Sequence, residues 1–210
     1  PVQRVRGRMD ADDVDMFVIC ITDPTTFSAS TIGTTAWDTQ LWLFKCNGLG
    51  VVHNDDNPDA TTGLQSRIDN RTNCIQQPGV YLLAISRYNR DPVSIEGQPL
   101  WDPLGNGRAV RCPDGIRADS PVAGWAGATL AEPTRYIIQL TGAFFVSEGG
   151  CCVTAGGDVD LNGCIDDADL LAVLFAFGNR GQFLPEDVTC DGVVDDADLL
   201  TVLFSFGNGC

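Results

Sequence analysis

The sequence has few basic residues and a single histidine. Lys and Arg together number 13 in a chain of 210 residues, against 28 Asp and Glu, and the formal net charge is −15. A nucleic-acid partner requires a basic surface, so this deficit argues against nucleic-acid binding. His53 is the only histidine, and neither a CxxC motif nor a Cys/His cluster occurs, which argues against a zinc site.

The common catalytic motifs are also missing. The sequence has no nucleophile elbow, no HExxH motif and no Gly-rich phosphate loop. A Cys–His pair would have to recruit His53 from a predicted strand, and a carboxylate pair would need a pocket that separates the two pKa values. We therefore expect a protein that is not an enzyme. No apolar run is long enough to span a membrane, so we expect no membrane insertion.

Cysteine is abundant, with nine residues. Without metal-type spacing, so many cysteines favour disulfides and an oxidising, extracellular location. The odd number leaves at least one thiol free or paired between chains. Because the chain begins with Pro1 rather than Met, we expect a processed, secreted form.

The most informative stretch is a duplicated segment near the C-terminus. Two 22-residue copies begin at Asp158 and Asp187, 29 residues apart, and 15 of the 22 aligned positions are identical. Each copy is a twelve-residue acidic loop with glycine at its sixth position, followed by an apolar pattern of helical period. Alternating oxygen donors, a sharp turn and a carboxylate entering a helix are what a hard cation requires, so we predict two Ca²⁺ sites.

The spacing assigns ligands to both loops. In the first copy they are Asp158, Asp160, Asn162, the Cys164 carbonyl, Asp166 through water, and Asp169. In the second they are Asp187, Thr189, Asp191, the Val193 carbonyl, Asp195 and Asp198. Thr189 stands where the first loop has Asp160, so we expect weaker binding in the second loop.

Each acidic loop leads into a helix with two apolar stripes. The first stripe contains Leu170, Val173, Leu174 and Phe177, repeated as Leu199, Val202, Leu203 and Phe206. The second contains Leu171 and Phe175, repeated as Leu200 and Phe204. A small module has one small core, so either the helices pack broadly or the second stripe is an exposed face that needs a partner. We favour the exposed face.

The loop–helix pair, with Asp rather than Glu at the twelfth position and no leading helix, resembles a type I dockerin over about residues 156–210. The resemblance implies docking onto a cohesin-like β-sandwich through loop positions ten and eleven and the exposed helix face. The implied partner-binding residues are Asp167, Ala168, Leu171, Phe175, Asp196, Ala197, Leu200 and Phe204. It departs from familiar dockerins at Leu174–Phe175 and Leu203–Phe204, where these often carry basic residues. The ends of dockerin-like modules lie close together, which implies a disulfide from Cys210 to Cys151 or Cys152.

Residues upstream predict a mainly β domain. Short apolar or alternating runs separated by Gly, Pro, Asn and Asp predict strands at 16–21, 26–32, 40–45, 51–54, 80–86, 136–140 and 143–146. No helical period precedes residue 165, so we expect an antiparallel, jelly-roll-like β-sandwich followed by the small α-helical module. The expected organisation is a basic arm (1–9), the sandwich (10–148), a linker (149–157) and the calcium-binding module (158–210).

The motifs DVDMFVI, DTQLWLFKCNGLGVVHNDDN, PGVYLLAIS and YIIQLTG resemble the bacterial pre-peptidase C-terminal type of β-sandwich. That resemblance implies a non-catalytic appendage of a secreted protein, some relatives of which bind calcium or matrix polymers. Residues 87–134 depart from it as a long Gly/Pro-rich excursion. Because Trp101, Cys112 and Trp125 lie in this excursion, we expect it to be anchored and to shape a contact surface.

Two further sites are open to more than one interpretation. A third calcium site could form from the acidic loop residues Asp38, Asp55, Asp56, Asn57 and Asp59, with help from Asp13 and Asp15. The same residues are ordinary turn formers. Trp42, Trp101 and Trp125 could stack on sugar rings, although such residues more often anchor a core.

Together these features predict a secreted, non-enzymatic protein whose tail mediates calcium-dependent attachment. The expected partner is a cohesin-like β-sandwich or another copy of the chain, which would give a head-to-tail fibre or surface layer. One alternative is a carbohydrate- or matrix-binding accessory region of a secreted hydrolase. Another is a free-standing dockerin client carried on a separate scaffold.

Overall fold

A computed structural model describes residues 3–10, 13–127, 134–145, 157–160, 162–181, 184–189 and 192–210. The chain is mainly β, with antiparallel sheets and two helices in its C-terminal part, which confirms the mainly β prediction. The strands are β1 Gln3–Met9, β2 Asp15–Ile21, β3 Ser28–Ser30, β4 Thr39–Lys45, β5 Gly50–Asn54, β6 Arg67–Asp69, β7 Gly79–Arg87, β8 Arg90–Val93, β9 Gly124–Gly127, β10 Thr134–Thr141 and β11 Ala143–Phe145. The helices are α1 Asp167–Ala176 and α2 Asp196–Ser205.

The strands form two larger sheets and one hairpin. The four-stranded sheet has the order β1-β10-β3-β6, and the five-stranded sheet has the order β11-β2-β7-β4-β5. Strands β8 and β9 pair only with each other among the described strands. Seven strands coincide with those predicted from alternation and turn residues, whereas β1, β6, β8 and β9 were not predicted.

Both larger sheets contribute side chains to one hydrophobic core. The four-stranded sheet supplies Val5, Met9, Ala29, Ile68, Tyr136, Ile138 and Leu140. The five-stranded sheet supplies Ile19, Ile21, Leu41, Leu43, Val52, Leu83 and Ile85. Successive residues of a strand point to opposite faces, so each strand places every second side chain in this shared core.

Residues 3–9, predicted only as a basic arm, form the edge strand β1. It pairs antiparallel with β10 from Gln3 opposite Leu140 to Met9 opposite Thr134. Val5 and Met9 are buried, while the arginines between them are exposed. Gly7 leaves room for the Tyr136 ring, which a Cβ atom at that position would overlap. The alternation of period two was hidden in the sequence because the outward positions are all arginine.

The excursion at 87–134 is anchored at several points. Cys112 forms a disulfide with Cys74, with their Cα atoms 5.5 Å apart. Trp101 packs on Trp42 and Phe44 in a second apolar cluster, and β8 and β9 close a hairpin around the segment. Trp42 and Trp101 are only 1% and 3% exposed, so neither offers the open ring face that sugar stacking requires.

The described cysteines agree with an oxidising environment. Besides Cys74–Cys112, a disulfide joins Cys164 to Cys210, and Cys20 is disulfide-bonded as well. The predicted bond from Cys210 to Cys151 or Cys152 is therefore wrong, because the chain end returns to Cys164 in the first acidic loop. Cys46 is the free thiol among the described residues.

Both helices have ten residues, and no described helix has the length and hydropathy of a membrane span.

Candidate metal loops and apolar helix face

The first acidic loop brings three of its predicted ligands together. Carboxylate oxygens of Asp158, Asp160 and Asp169 all lie within 4.8 Å of one another, the one such cluster of acids found in the described residues. These are the first, third and twelfth positions of the loop. Asp160 is exposed, whereas Asp169 is completely buried at the start of α1.

Backbone N–H groups converge on Asp169. Its Oδ1 accepts hydrogen bonds from the N–H groups of Val159 at 2.6 Å and Asp160 at 3.1 Å. Its Oδ2 accepts from the N–H of Asp166 at 2.9 Å, and the Asp166 side chain caps the helix in return. This capping box begins α1, so one carboxylate both closes the loop and starts the helix.

The second loop repeats this arrangement, with Thr189 in place of Asp160 and Asp191 in place of Asn162. Asp198 is completely buried and accepts from the N–H groups of Thr189 and Asp195, each at 2.8 Å. Asp187 accepts from Gly192 N–H at 2.7 Å, as Asp158 does from Gly163 N–H at 2.9 Å. The predicted ligand Asp191 lies outside the described residues.

The remaining predicted ligands differ in what the structure shows of them. Asn162 is exposed, and its side-chain oxygen accepts from the N–H of Cys164 at 2.8 Å. Asp166 and Asp195 are the N-cap residues of the two helices. Val193 pairs with Arg180 in an isolated β-bridge.

The two repeats exchange backbone hydrogen bonds. The loop of each repeat pairs with the residues that follow the helix of the other repeat. Each bond in one repeat has an equivalent in the other, between residues at the same positions of the 29-residue repeat. The bonds are Ile165 N–H to Asn208 O (2.9 Å), Gly207 N–H to Ile165 O (2.8 Å), Val194 N–H to Asn179 O (3.0 Å) and Gly178 N–H to Val194 O (2.8 Å). The repeats therefore form one unit with local two-fold equivalence.

A small valine-rich core lies beneath the loops. Val173, Val194 and Val202 are completely buried, and Val159, Ile165, Ala176 and Val188 complete the cluster. Leu170 and Leu199 are partly buried against it. The loops and helices thus share this core, so a change in loop geometry reaches both helices.

The outer side of the two helices is an apolar ridge. We use this name for Leu171, Leu174, Phe175, Phe177, Leu200, Leu203, Phe204 and Phe206, which are between 46% and 86% exposed. The ridge contains the second stripe and also Leu174, Phe177, Leu203 and Phe206 of the first stripe, each of which is about half exposed. Val173 and Val202 are the helix residues that are completely buried in the small core, and the larger side chains remain exposed to solvent.

The buried carboxylates of the loops fit a hard divalent cation. In the described part of the chain no Lys or Arg pairs with Asp169 or Asp198, and Arg180 is the only base among residues 151–210. Leaving a buried anion without a positive partner is costly. An all-oxygen donor set suits Ca²⁺, Mg²⁺ or Mn²⁺ rather than a thiolate- or imidazole-preferring metal.

The residues predicted for a third metal site mostly have other partners. Asp59 pairs with Arg67 and Arg71, and Asp56 pairs with Arg108 at 3.4 Å. Asn57 accepts a hydrogen bond from the N–H of Asp59 at 3.0 Å. Asp15 accepts from the Tyr136 hydroxyl. These residues therefore do not converge as a group.

Asp38 and Asp55 are different, because each keeps one buried carboxylate oxygen without a hydrogen-bond partner in the described residues. Burial, followed by the charges of Asp38 and Asp56, raises the pKa of Asp55 to about 7. Burial and the charge of Asp56 raise the pKa of Asp38 to about 6.

Asp55 borders a polar pocket that the sequence did not predict. The pocket is lined by Gln40, Trp42, His53, Asp55, Tyr88, Asn89, Asp91, Trp101, Asp102, Pro103, Gly105, Gly107 and Arg111. Burial and the nearby Arg111 lower the pKa of His53 to about 3, so this histidine stays neutral. Asp91 also lines the pocket, and burial raises its pKa as well.

The two loops differ most clearly at their third position. We predict that Thr189→Asp tightens calcium binding at the second site about tenfold, because affinity in such loops rises with the number of ligand charges. Isothermal titration calorimetry on the full chain measures this effect. Thr61→Asp adds the same charge at an exposed position of the β region and is the control. An unchanged second site, or equal tightening by both variants, would contradict the assignment.

Asp55 makes the stability of the β region depend on pH. Its pKa in the folded protein, about 7, lies above its ordinary value of 3.8. Its stabilising contribution is therefore complete below pH 3.8 and is lost as the pH rises through 7. Asp55→Asn stays neutral, so at pH 8 the variant should melt about 2–4 °C above wild type, the shift that ~1 kcal/mol produces after allowance for partial exposure. At pH 4 this advantage should vanish.

Asp59→Asn is the matched control for this pH dependence. The hydrogen bond from Arg71 lowers the pKa of Asp59, so this variant should be less stable than wild type at pH 8. Thermal unfolding followed by circular dichroism at both pH values tests the pair. Equal effects of the two substitutions at pH 8 would refute the buried-carboxylate interpretation of Asp55.

No protein-family model matches the sequence, and no curated protein matches it. The resemblances based on short motifs therefore stay predictions. The case for a function depends on the loops, the helices and the charges of this chain itself.

Proposed function

We propose that the protein is a secreted, non-enzymatic attachment protein with a calcium-dependent docking module in residues 158–210. The observation that carries this proposal is the apolar ridge, eight large side chains exposed on two short helices and their C-cap residues. Contiguous exposed apolar surface of this kind marks interaction sites on soluble proteins. Burial of such surface stabilises a complex by roughly 25 cal/mol per Å² before the costs of association.

The metal loops support a calcium-dependent form of this docking. Asp169 and Asp198 lie in the first turns of the two helices and are completely buried. A bound cation would offset their charge and hold both helix starts in place. The ridge is then presented in one geometry when calcium is bound and loses that geometry when it is removed.

The dockerin-like interpretation is supported by the exposed residues beside the ridge. Asp167 and Ala168 in the first repeat, and Asp196 and Ala197 in the second, are all exposed at the first turns of the helices. They flank Leu171 and Leu200, the first ridge residues of each helix. A partner that covers the ridge would therefore also contact the loop positions that the resemblance implies.

The β region serves as the body of the protein in this proposal. Two antiparallel sheets with a shared core support an antiparallel β-sandwich architecture. Two of its tryptophans, Trp42 and Trp101, are buried. This burial favours a structural body over a sugar-binding domain.

Phe175 and Phe204 provide the test, because they are 86% and 82% exposed and contribute little to the module's core. The full chain is incubated with extracellular material of the source organism in calcium, and retained chain and partners are identified by mass spectrometry. Wild type should be retained and then released by a calcium chelator. The Phe175→Ser/Phe204→Ser variant should bind about 10- to 100-fold more weakly, the usual effect of losing interface hot spots.

Leu104→Ser is the control, since Leu104 is 93% exposed in the β region. It should be retained like wild type. If the double phenylalanine variant is retained equally well while its calcium binding is unchanged, the ridge is not the docking surface.

A further inference from the structure

The outer face of the four-stranded sheet has an arginine stripe, the name we use for Arg4, Arg6, Arg8 and Arg135. All four side chains are exposed. The first three alternate along β1, and Arg135 of β10 lies directly opposite Arg8 in the antiparallel register. With about 3.3 Å per residue, Arg4 to Arg8 spans about 13 Å.

The stripe is unusual because this acidic protein pairs many of its other arginines. Arg67, Arg71, Arg108, Arg111 and Arg117 each form an ion pair with a carboxylate. Among the described residues, Arg4, Arg6 and Arg135 form none, and Arg8 has only an exposed contact of 3.5 Å with Asp10. A cluster of unpaired cations in a chain of net charge −15 suggests a surface for an anionic partner.

Charged residues on an edge strand also discourage unwanted strand pairing, and β1 is an edge strand. That role accounts for the arginines of β1. It does not account for Arg135, because β10 lies between β1 and β3 inside the sheet. The stripe therefore extends beyond the strand that needs protection.

An apolar contact is available within the stripe. Arg6, Gly7, Arg8, Arg135, Tyr136 and Ile137 line a shallow depression on this side of the sheet. Arginine side chains around an apolar depression can contact a projecting aromatic ring and the carboxylates beside it at the same time. The apolar ridge offers both kinds of group, since Phe175 and Phe204 lie on the same helices as the exposed Asp167 and Asp196, about 12 Å further along the helix axis.

Charge also selects among the possible partners of the ridge. Residues 151–210 contain 11 acids and one base, and two bound calcium ions would neutralise only part of this charge. Two ridges facing each other would therefore repel.

The dimensions of the two surfaces also match. Packed helices lie about 8–10 Å apart, so both helices fit side by side along the stripe. In a single copy the ridge and the stripe are both exposed, so the chain does not cover them internally.

We propose that the apolar ridge of one copy docks onto the arginine stripe of a second copy. This inference rests on the proposed docking function and identifies the partner surface. The two surfaces differ, so each contact leaves one free ridge and one free stripe, and the assembly grows head to tail. Calcium controls its growth because calcium holds the ridge in place.

A mixing experiment with full-length chains tests the contact. The ridge variant is Phe175→Ser/Phe204→Ser, and the stripe variant is Arg6→Glu/Arg135→Glu. In calcium, sedimentation velocity should show concentration-dependent oligomers for wild type and monomers for each variant alone. An equimolar mixture of the two variants should form heterodimers and nothing larger, because one intact ridge meets one intact stripe. Chelator should dissociate every complex.

Single substitutions provide the matched control for charge. Arg6→Glu should weaken assembly at least about tenfold, the effect of introducing a like charge into a complementary interface. Arg117→Glu makes the same change in charge away from the stripe, in a side chain that is 45% exposed, and should assemble like wild type. Equal weakening by both would mean that net charge and not the stripe controls assembly, and it would overturn the inference.

The outcomes also separate this inference from the function on which it rests. If the stripe variant assembles like wild type and the ridge variant does not, the ridge docks elsewhere on the chain and only the stripe is excluded. If wild type is monomeric in calcium but is still captured by extracellular material, the partner is another protein and the self-assembly inference fails. If both variants assemble like wild type, the ridge and the stripe are both excluded from assembly.

Discussion

The C-terminal part of this protein depends on two completely buried carboxylates, those of Asp169 and Asp198. Each accepts backbone N–H groups from its own loop and closes the capping box of the helix that follows. Such a carboxylate needs a positive partner, and the described residues supply none for either. In the proposed function, a bound cation would supply that partner and would link the acidic loops to the position of the apolar ridge.

The two repeats make equivalent backbone hydrogen bonds, but only the first has a disulfide beside its loop among the described residues. Cys164 and Cys210 form a disulfide beside the first loop, and the 29-residue offset relates them to Val193 and Gly181 beside the second. At the place equivalent to the disulfide, the second loop has a hydrogen bond from Gly181 N–H to Gly192 O at 3.1 Å. A cross-link over a loop of this length removes about 4 kcal/mol of unfolded-chain entropy. The first loop is thus closed by a covalent cross-link at the place where the second loop has a hydrogen bond.

Local patterns predicted a large part of this structure. The internal repeat located both helices, because loop spacing and helical period are local properties of the sequence. Alternation located β4 and β7, which carry uninterrupted or alternating apolar residues between clear turns. In contrast, β1 escaped prediction because its outward positions are all arginine, and β8 escaped because it contains Pro92 and pairs with a strand more than 30 residues away.

Tertiary contacts decided the features that the sequence could not show. The partner of Cys210 depends on where the chain end lies, which no spacing rule gives. The small core takes up Val173 and Val202 from the two helices and leaves Leu174 and Phe177 exposed, which the helical period alone does not show. The polar pocket joins Asp55 and Asp91 from separate segments, and its raised pKa values arise only when these residues are buried near each other.

Hydrogen exchange of the full chain, measured by mass spectrometry with calcium and then with chelator, tests the central claim most directly. If the buried carboxylates depend on a cation, amides of α1 and α2 should lose at least about 100-fold protection in chelator, which corresponds to ~2.7 kcal/mol of local stability. Amides of β4 and β7 should keep theirs. Equal protection of the two helices with and without calcium would contradict the account.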